Sequence, residues 1–124
     1  MAKVLCLSSQ VVWGPVGNTA AVPALQAEGH EVLQVPTILL SHHPGHGTPV
    51  RQAITPENFA ALLTSVESKG ALADCSSVMT GYFADTEQIT RAAKFIARLR
   101  NQNPGLLVLV DVGRGIFTPQ IADQ

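Results

Sequence analysis

Aromatic side chains are scarce in this sequence: one Trp, one Tyr and four Phe make up only 5 % of its 124 residues. A core built from it must therefore be aliphatic. Charge is scarce as well, at 14 %, with eight Lys and Arg against nine Asp and Glu for a formal net charge of −1. The basic residues form no run, whereas a groove that grips nucleic acid through its phosphates needs a basic patch. DNA and RNA are thus excluded as the expected ligands. A surface this poor in charge is instead expected to be covered in part, by a second half of the protein or by a partner subunit. No run of about 20 apolar residues is present to cross a bilayer. A single Lys3 ahead of a short apolar stretch is too little for a secretory leader, so no membrane is expected and the expected location is cytoplasmic. The only cysteines, Cys6 and Cys75, form no CxxC pair. Each lies inside an apolar run, the pattern of buried thiols in a reducing compartment.

What is present is apolar patterning of the kind that builds one α/β domain. "KVLCLS" is apolar at nearly every position, as a strand is when helices cover both faces of its sheet. "TAAVPALQAEG" follows as a helix, with Asn18 as its expected cap, Pro23 in its first turns, an inner stripe of Ala21, Val22 and Leu25, and Gly29 closing it. "EVLQV" is a second strand, and a right-handed crossover is the default for such a unit. Residues 36 to 54 hold three prolines, two glycines and three of the four histidines with no sustained period, and are expected as a long functional loop. "TPENFAALLTSVESKG" is a helix capped by Thr55, with Pro56 first, Glu57 at the positive end of the dipole, and Phe59, Leu62, Leu63 and Val66 inward. "SSVMTGYF" gives a third strand and "DTEQITRAAKFIARLR" a helix capped by Asp85, burying Ile89, Ala92, Ala93 and Ile96. "LLVLVD" is a fourth strand ending on Asp111. The alternation predicts a mostly parallel sheet.

Ligands of such sheets collect at the carboxyl ends of the strands. Those ends carry Ser8 and Ser9, Pro36 and Thr37, Thr80 to Tyr82, and Asp111, all small or polar. The nucleotide fingerprints are missing: no GxGxxG follows the first strand and no GxxxxGK[ST] occurs. His42, His43 and His46 leave three readings open: metal ligands, a plain polar loop, or imidazoles that hydrogen-bond a polar, aromatic or anionic ligand. Adjacent histidines on an extended chain point opposite ways, and no thiol lies nearby, which disfavours zinc. His30, after Gly29, is expected at the surface. Asp111 suits either a turn cap or a carboxylate holding Mg²⁺ beside phosphates. Tyr82 is placed to pack in the core or to stack on a planar ligand. Ser9 could satisfy backbone groups or that ligand's polar edge.

Taken together, these positions resemble the start of the pyridoxal kinases, in the ribokinase-like superfamily. Ser9, Val11, Gly14, Gly17, Asn18, Ala20 and Ala21 match that family's Ser-x-Val-x-x-Gly-x-x-Gly-Asn-x-Ala-Ala run. Pro36, Ser41, His43 and Gly47 match its Pro-x-x-x-x-Ser-x-His segment, and "TGYF" its Thr-Gly-Tyr. The resemblance implies a three-layer ribokinase-like (Rossmann-like) fold, with residues 1–124 as the N-terminal part of a single kinase domain. It implies ATP-dependent phosphorylation of the 5′-hydroxyl of pyridoxal, pyridoxine or pyridoxamine, with Mg²⁺, a monovalent cation such as K⁺, and a homodimer. Substrate binding would fall to Ser9, Thr37, His43, Pro44, Gly45 and Tyr82, and Asp111 would stand near ATP and its metal. Two departures stand out. Pro44 replaces a hydroxyl or amide side chain, and "VDVGRGIF" is shorter than the family's Asp-Pro-Val-x-Gly-Asp element and the strand after it. The family's catalytic base sits in a Gly-x-Gly-Asp element that this sequence does not contain, so no catalytic residue is expected within it. Hydroxymethylpyrimidine kinase, on the same fold, and a non-catalytic ligand-binding module are the rival readings.

Overall fold

The structure, a computed structural model, describes residues 2–110. The chain runs β1 (Lys3–Trp13), α1 (Asn18–Ala27), β2 (Glu31–His42), β3 (Arg51–Ala53), α2 (Pro56–Ser68), β4 (Ser77–Thr80), α3 (Thr86–Gln102) and β5 (Leu107–Val110). The sheet order is β3-β2-β1-β4-β5. β1, β2, β4 and β5 are parallel, and β3 pairs antiparallel on β2. The expected α/β architecture with a mostly parallel sheet is therefore what forms.

The order of strands places the helices. From β1 the chain steps one way to β2, then returns past β1 to β4 and onward to β5. Right-handed crossovers in opposite directions put α1 on one face and α2 with α3 on the other. The second face carries the main core, in which Leu5, Leu7, Val35 and Val78 meet Phe59, Leu63, Ile89, Ala92 and Ile96. Phe59 and Phe83, both fully buried, pack edge to face at 6.2 Å and 85°. The inner stripe expected for α3 is buried in full, joined by Phe95 and Leu99. Leu62 departs from its expected place and is 43 % exposed. Phe59, Leu63 and Val66 already complete an i, i+4, i+7 stripe, which leaves Leu62 on the flank.

Two of the three predicted caps form. Thr55 accepts from the Asn58 amide at 3.1 Å and Asp85 from the Gln88 amide at 2.8 Å. Thr55→Ala leaves that first-turn amide without its acceptor and is expected to cost about 1 kcal/mol, measurable as a lower urea midpoint at unchanged slope. Both cysteines are free and buried. Burial, reinforced by the neighbouring Cys75, pushes the Cys6 thiol up to about 11, so it stays protonated and unreactive near neutral pH.

Several expectations change. Residues 36 to 54 are not one loop. β2 continues to His42, a single 3-10 turn spans Pro44–His46, and β3 returns along β2. Ile38 and Leu40 drive this by turning inward onto Val11, a second small core. β1 also outruns its predicted end, so Ser9 lies within the strand. Asn18 does not cap α1, because Gly17 holds that position without a side-chain hydrogen bond. Asn18 is buried instead, and its amide donates to the carbonyls of Ser8 and Val35, at 3.3 and 3.4 Å. His30 is half-buried rather than at the surface, its Nδ1 accepting from the Ala2 amide, while Pro23 sits inside α1 in its second turn. At the sheet's far side, Leu107 and Leu109 of β5 stand 56 % and 46 % exposed.

Candidate functional site

β1 lies between β2 and β4, which the chain reaches in opposite directions, so the sheet changes its winding sense there. In open α/β sheets the crevice outside the carboxyl ends at such a point is where ligands sit. The pairing of β1 with β4 stops at Leu7 opposite Thr80. Its pairing with β2 continues, after a slip between Ser8 and Gln10, as far as Trp13 opposite His42. β1, β2 and β3 thus rise past the sheet as a three-stranded flap, and Ser9 sits where the flap leaves it.

Two glycines shape the base of this crevice. Gly17, at φ +59°, lies so close to Ser9 that any Cβ would overlap the Ser9 carbonyl and hydroxyl. Gly81 leaves the same kind of space for the Ser8 hydroxyl. That hydroxyl accepts from the Tyr82 amide at 3.3 Å, while the buried Thr37 hydroxyl donates to the Tyr82 carbonyl at 2.7 Å. Both backbone groups of Tyr82 are thereby fixed, and its ring, 40 % exposed, reaches to β3, where Arg51 Nη2 donates to its hydroxyl at 3.2 Å. Thr80, at the end of β4, is buried with a hydroxyl that has no partner among the described residues. An orphan of this kind costs about 1–3 kcal/mol until a water or ligand satisfies it.

The histidines belong to the flap's tip. His43 Nδ1 accepts from the Gly45 amide at 2.9 Å, capping the 3-10 turn. An imidazole that accepts at Nδ1 carries its proton on Nε2, so His43 offers an N–H donor. His46 stacks on the exposed Trp13 ring at 4.6 Å and 24°. His42 Nδ1 lies 3.1 Å from the Ser41 hydroxyl, and its ring meets Trp13 edge-on. Among the described residues no three His, Cys, Asp or Glu side chains stand together as a metal would require.

Of the predicted site residues, Thr37 and Tyr82 are brought together by their hydrogen bond, while Ser9 lies next to Ser8 on β1 and against Gly17. His43, Pro44 and Gly45 form the tip, roughly 13 Å further along the strands at 3.3 Å per residue. The loop after β1 joins the two levels: Gly14 lies against His43 and Gly17 against Ser9. Asp111 lies outside the described residues. Sequence reasoning missed the Tyr82 contacts of Ser8 and Arg51, and it missed Gln88. The only signal for Ser8 was its place in the "SS" pair, and for Gln88 its polarity on the inner face of α3.

No family model matches the chain. Curated proteins do. The pyridoxine/pyridoxal/pyridoxamine kinase of Bordetella avium is 39 % identical over 108 residues, which is 87 % of this chain and 36 % of that protein. These relatives are pyridoxal kinases. That of Deinococcus radiodurans is 35 % identical over 120 residues, 93 % of this chain and 40 % of its own length. Among solved structures, the Leishmania donovani pyridoxal kinase in complex with ADP and pyridoxine superposes with a TM-score of 0.80 at 26 % identity, covering 98 % of this chain and 45 % of that one. The resemblance and the ribokinase-like fold expected from the sequence both stand, and the chain spans about two fifths of the pyridoxal kinases it matches.

Proposed function

We propose that this chain forms the vitamin-binding part of a pyridoxal kinase, as the N-terminal part of one domain, in which ATP phosphorylates the 5′-hydroxyl of pyridoxal, pyridoxine or pyridoxamine. The observation that supports this reading is the crevice base: the Ser8 and Thr37 hydroxyls lock the Tyr82 backbone where the sheet changes winding sense, and Ser9 follows Ser8 against Gly17. A planar pyridine fits such a place. The Tyr82 ring offers it a stacking face and the Ser9 hydroxyl a hydrogen bond to its polar edge, with His43, Pro44 and Gly45 on the flap above.

Phosphoryl transfer depends on positioning and on neutralising charge around the moving group. The described residues bear on the first; among them no three His, Cys, Asp or Glu side chains stand together, and Asp111, the residue expected near ATP and its metal, lies outside them. With no Gly-x-Gly-Asp in its sequence, the chain is expected to bind the vitamin without turning it over. The flap supports the homodimer: Val12, Leu39 and Val50, exposed by 75 %, 37 % and 69 %, share one of its faces, and sedimentation velocity tests this. A cytoplasmic location is part of the same reading.

Titration calorimetry of the 124-residue chain with pyridoxal, hydroxymethylpyrimidine and ATP tests the proposal. Binding of pyridoxal in preference to hydroxymethylpyrimidine supports it; the reverse order favours the rival kinase. Ser9→Ala is expected to weaken pyridoxal binding by roughly 1–3 kcal/mol, since a buried polar edge of the ligand loses its partner. Unchanged affinity would remove Ser9 from the site.

A further inference from the structure

Gln88 lies in the first turn of α3, and its side chain is completely buried. A buried amide must satisfy two donors and an acceptor, and Gln88 does so entirely with main-chain groups. Its Oε1 accepts from the Ala84 amide at 2.8 Å. Its Nε2 donates to the Thr37 carbonyl at 2.9 Å and to the Ile54 carbonyl at 2.7 Å. These partners come from three segments far apart in sequence: β2 where its pairing slips, the turn from β3 into α2, and the stretch just after Tyr82.

Further bonds close the three segments into a ring. The Ile54 amide donates to the same Thr37 carbonyl at 3.0 Å, and the Thr37 hydroxyl holds the Tyr82 carbonyl at 2.7 Å. Thr37 and Tyr82 thus lie side by side at the crevice, and the Gln88 amide braces the Thr37 backbone against that of Ala84, two residues beyond Tyr82. We infer that Gln88 is a positioning residue for the ligand pocket: by tying Thr37, Ile54 and Ala84 together it fixes the backbone that carries the bonded Thr37–Tyr82 pair, and with it the width of the crevice. The inference rests on the proposed vitamin site and names a further residue that determines its width, one that need not touch the ligand itself.

Two variants of near-equal volume test it in the 124-residue chain, by amide hydrogen exchange and by pyridoxal titration. Gln88→Met removes all three bonds. Gln88→Glu keeps an acceptor for the Ala84 amide but sets a carboxylate against the Thr37 and Ile54 carbonyls. In Gln88→Met, protection at Ile54 and at Tyr82 to Ala84 is expected to fall about tenfold, while Leu5 and Leu7 keep theirs. In Gln88→Glu, Ala84 stays protected and Ile54 loses protection. Pyridoxal affinity is expected to fall about tenfold in both, at a temperature where both remain folded. A plain packing defect would loosen Ile54 and Ala84 alike in both variants. That pattern, a uniform loss reaching Leu5, or no change at all would overturn the inference. Failure of the unsubstituted chain to bind pyridoxal would defeat the proposed function, while the exchange pattern would still decide whether Gln88 is the brace.

Discussion

Phe59→Ala is expected to cost about 3–5 kcal/mol, a large share of the 5–15 kcal/mol that holds a domain of this size folded. Phe59 has no exposed surface and lies edge to face with Phe83, which follows Tyr82 in the loop lining the crevice. Truncation leaves a cavity between α2 and the sheet, at the point where Leu5, Leu7 and Val35 meet the helices. A thermal scan should show the melting midpoint falling by roughly 15 °C, at a few degrees per kcal/mol. Phe59→Leu, which keeps most of the volume, should lose less than half as much. A drop of only a degree or two for the alanine variant would mean that α2 does not seal the core.

Gly17→Ala is the second large effect, and it strikes the pocket more than the core. At φ +59° and ψ −141° the residue occupies backbone space that is essentially reserved for glycine. The strain alone costs about 1–3 kcal/mol for an L side chain. The added Cβ would also overlap the carbonyl and hydroxyl of Ser9, and relief requires moving that strand residue. Pyridoxal affinity should fall at least about tenfold, since 1.4 kcal/mol of misplacement suffices for that. Gly29→Ala is the control: its φ is also positive, at +89°, but nothing lies within 4 Å of the new methyl. It should destabilise the chain by a similar strain and leave the ligand site alone. Equal losses of binding in the two variants would show that the effect is stability and not the seat of Ser9.

The parts of this architecture that could be read from the sequence are those written locally. Thr55 with Pro56, and Asp85 ahead of its helix, announce their caps within four residues of themselves. The stripe of α3 repeats often enough to be unmistakable. Ser9, Thr37 and Tyr82 are singled out because the carboxyl ends of parallel strands are special places in any such sheet, although β1 and β2 run on past Ser9 and Thr37. What escaped depends on partners remote in the chain. β3 is three exposed residues whose only reason to be a strand is the edge of β2. Pro36, which has no amide to give to a ladder, made the second half of β2 look like loop. Asn18 reads as a cap by residue type, but the burial of its amide against Ser8 and Val35 appears only once the two strands are side by side. Gln88 escaped for the same reason, since three carbonyl and amide groups from three segments define its role.

Thr19 has a consequence for how the upper sheet can deform. Beyond Leu7, β1 has lost β4, which would leave the outer edge of Val11 bare; the Thr19 hydroxyl takes over, accepting from the Val11 amide at 3.0 Å and donating to its carbonyl at 3.2 Å. Neither group can be left dry without penalty, so the protruding ribbon and the first helix are latched into a single lever. Any bending must concentrate lower down, at the fulcrum between Ser8 and Gln10 where the ladder skips a rung, and that fulcrum is the floor on which the substrate would rest.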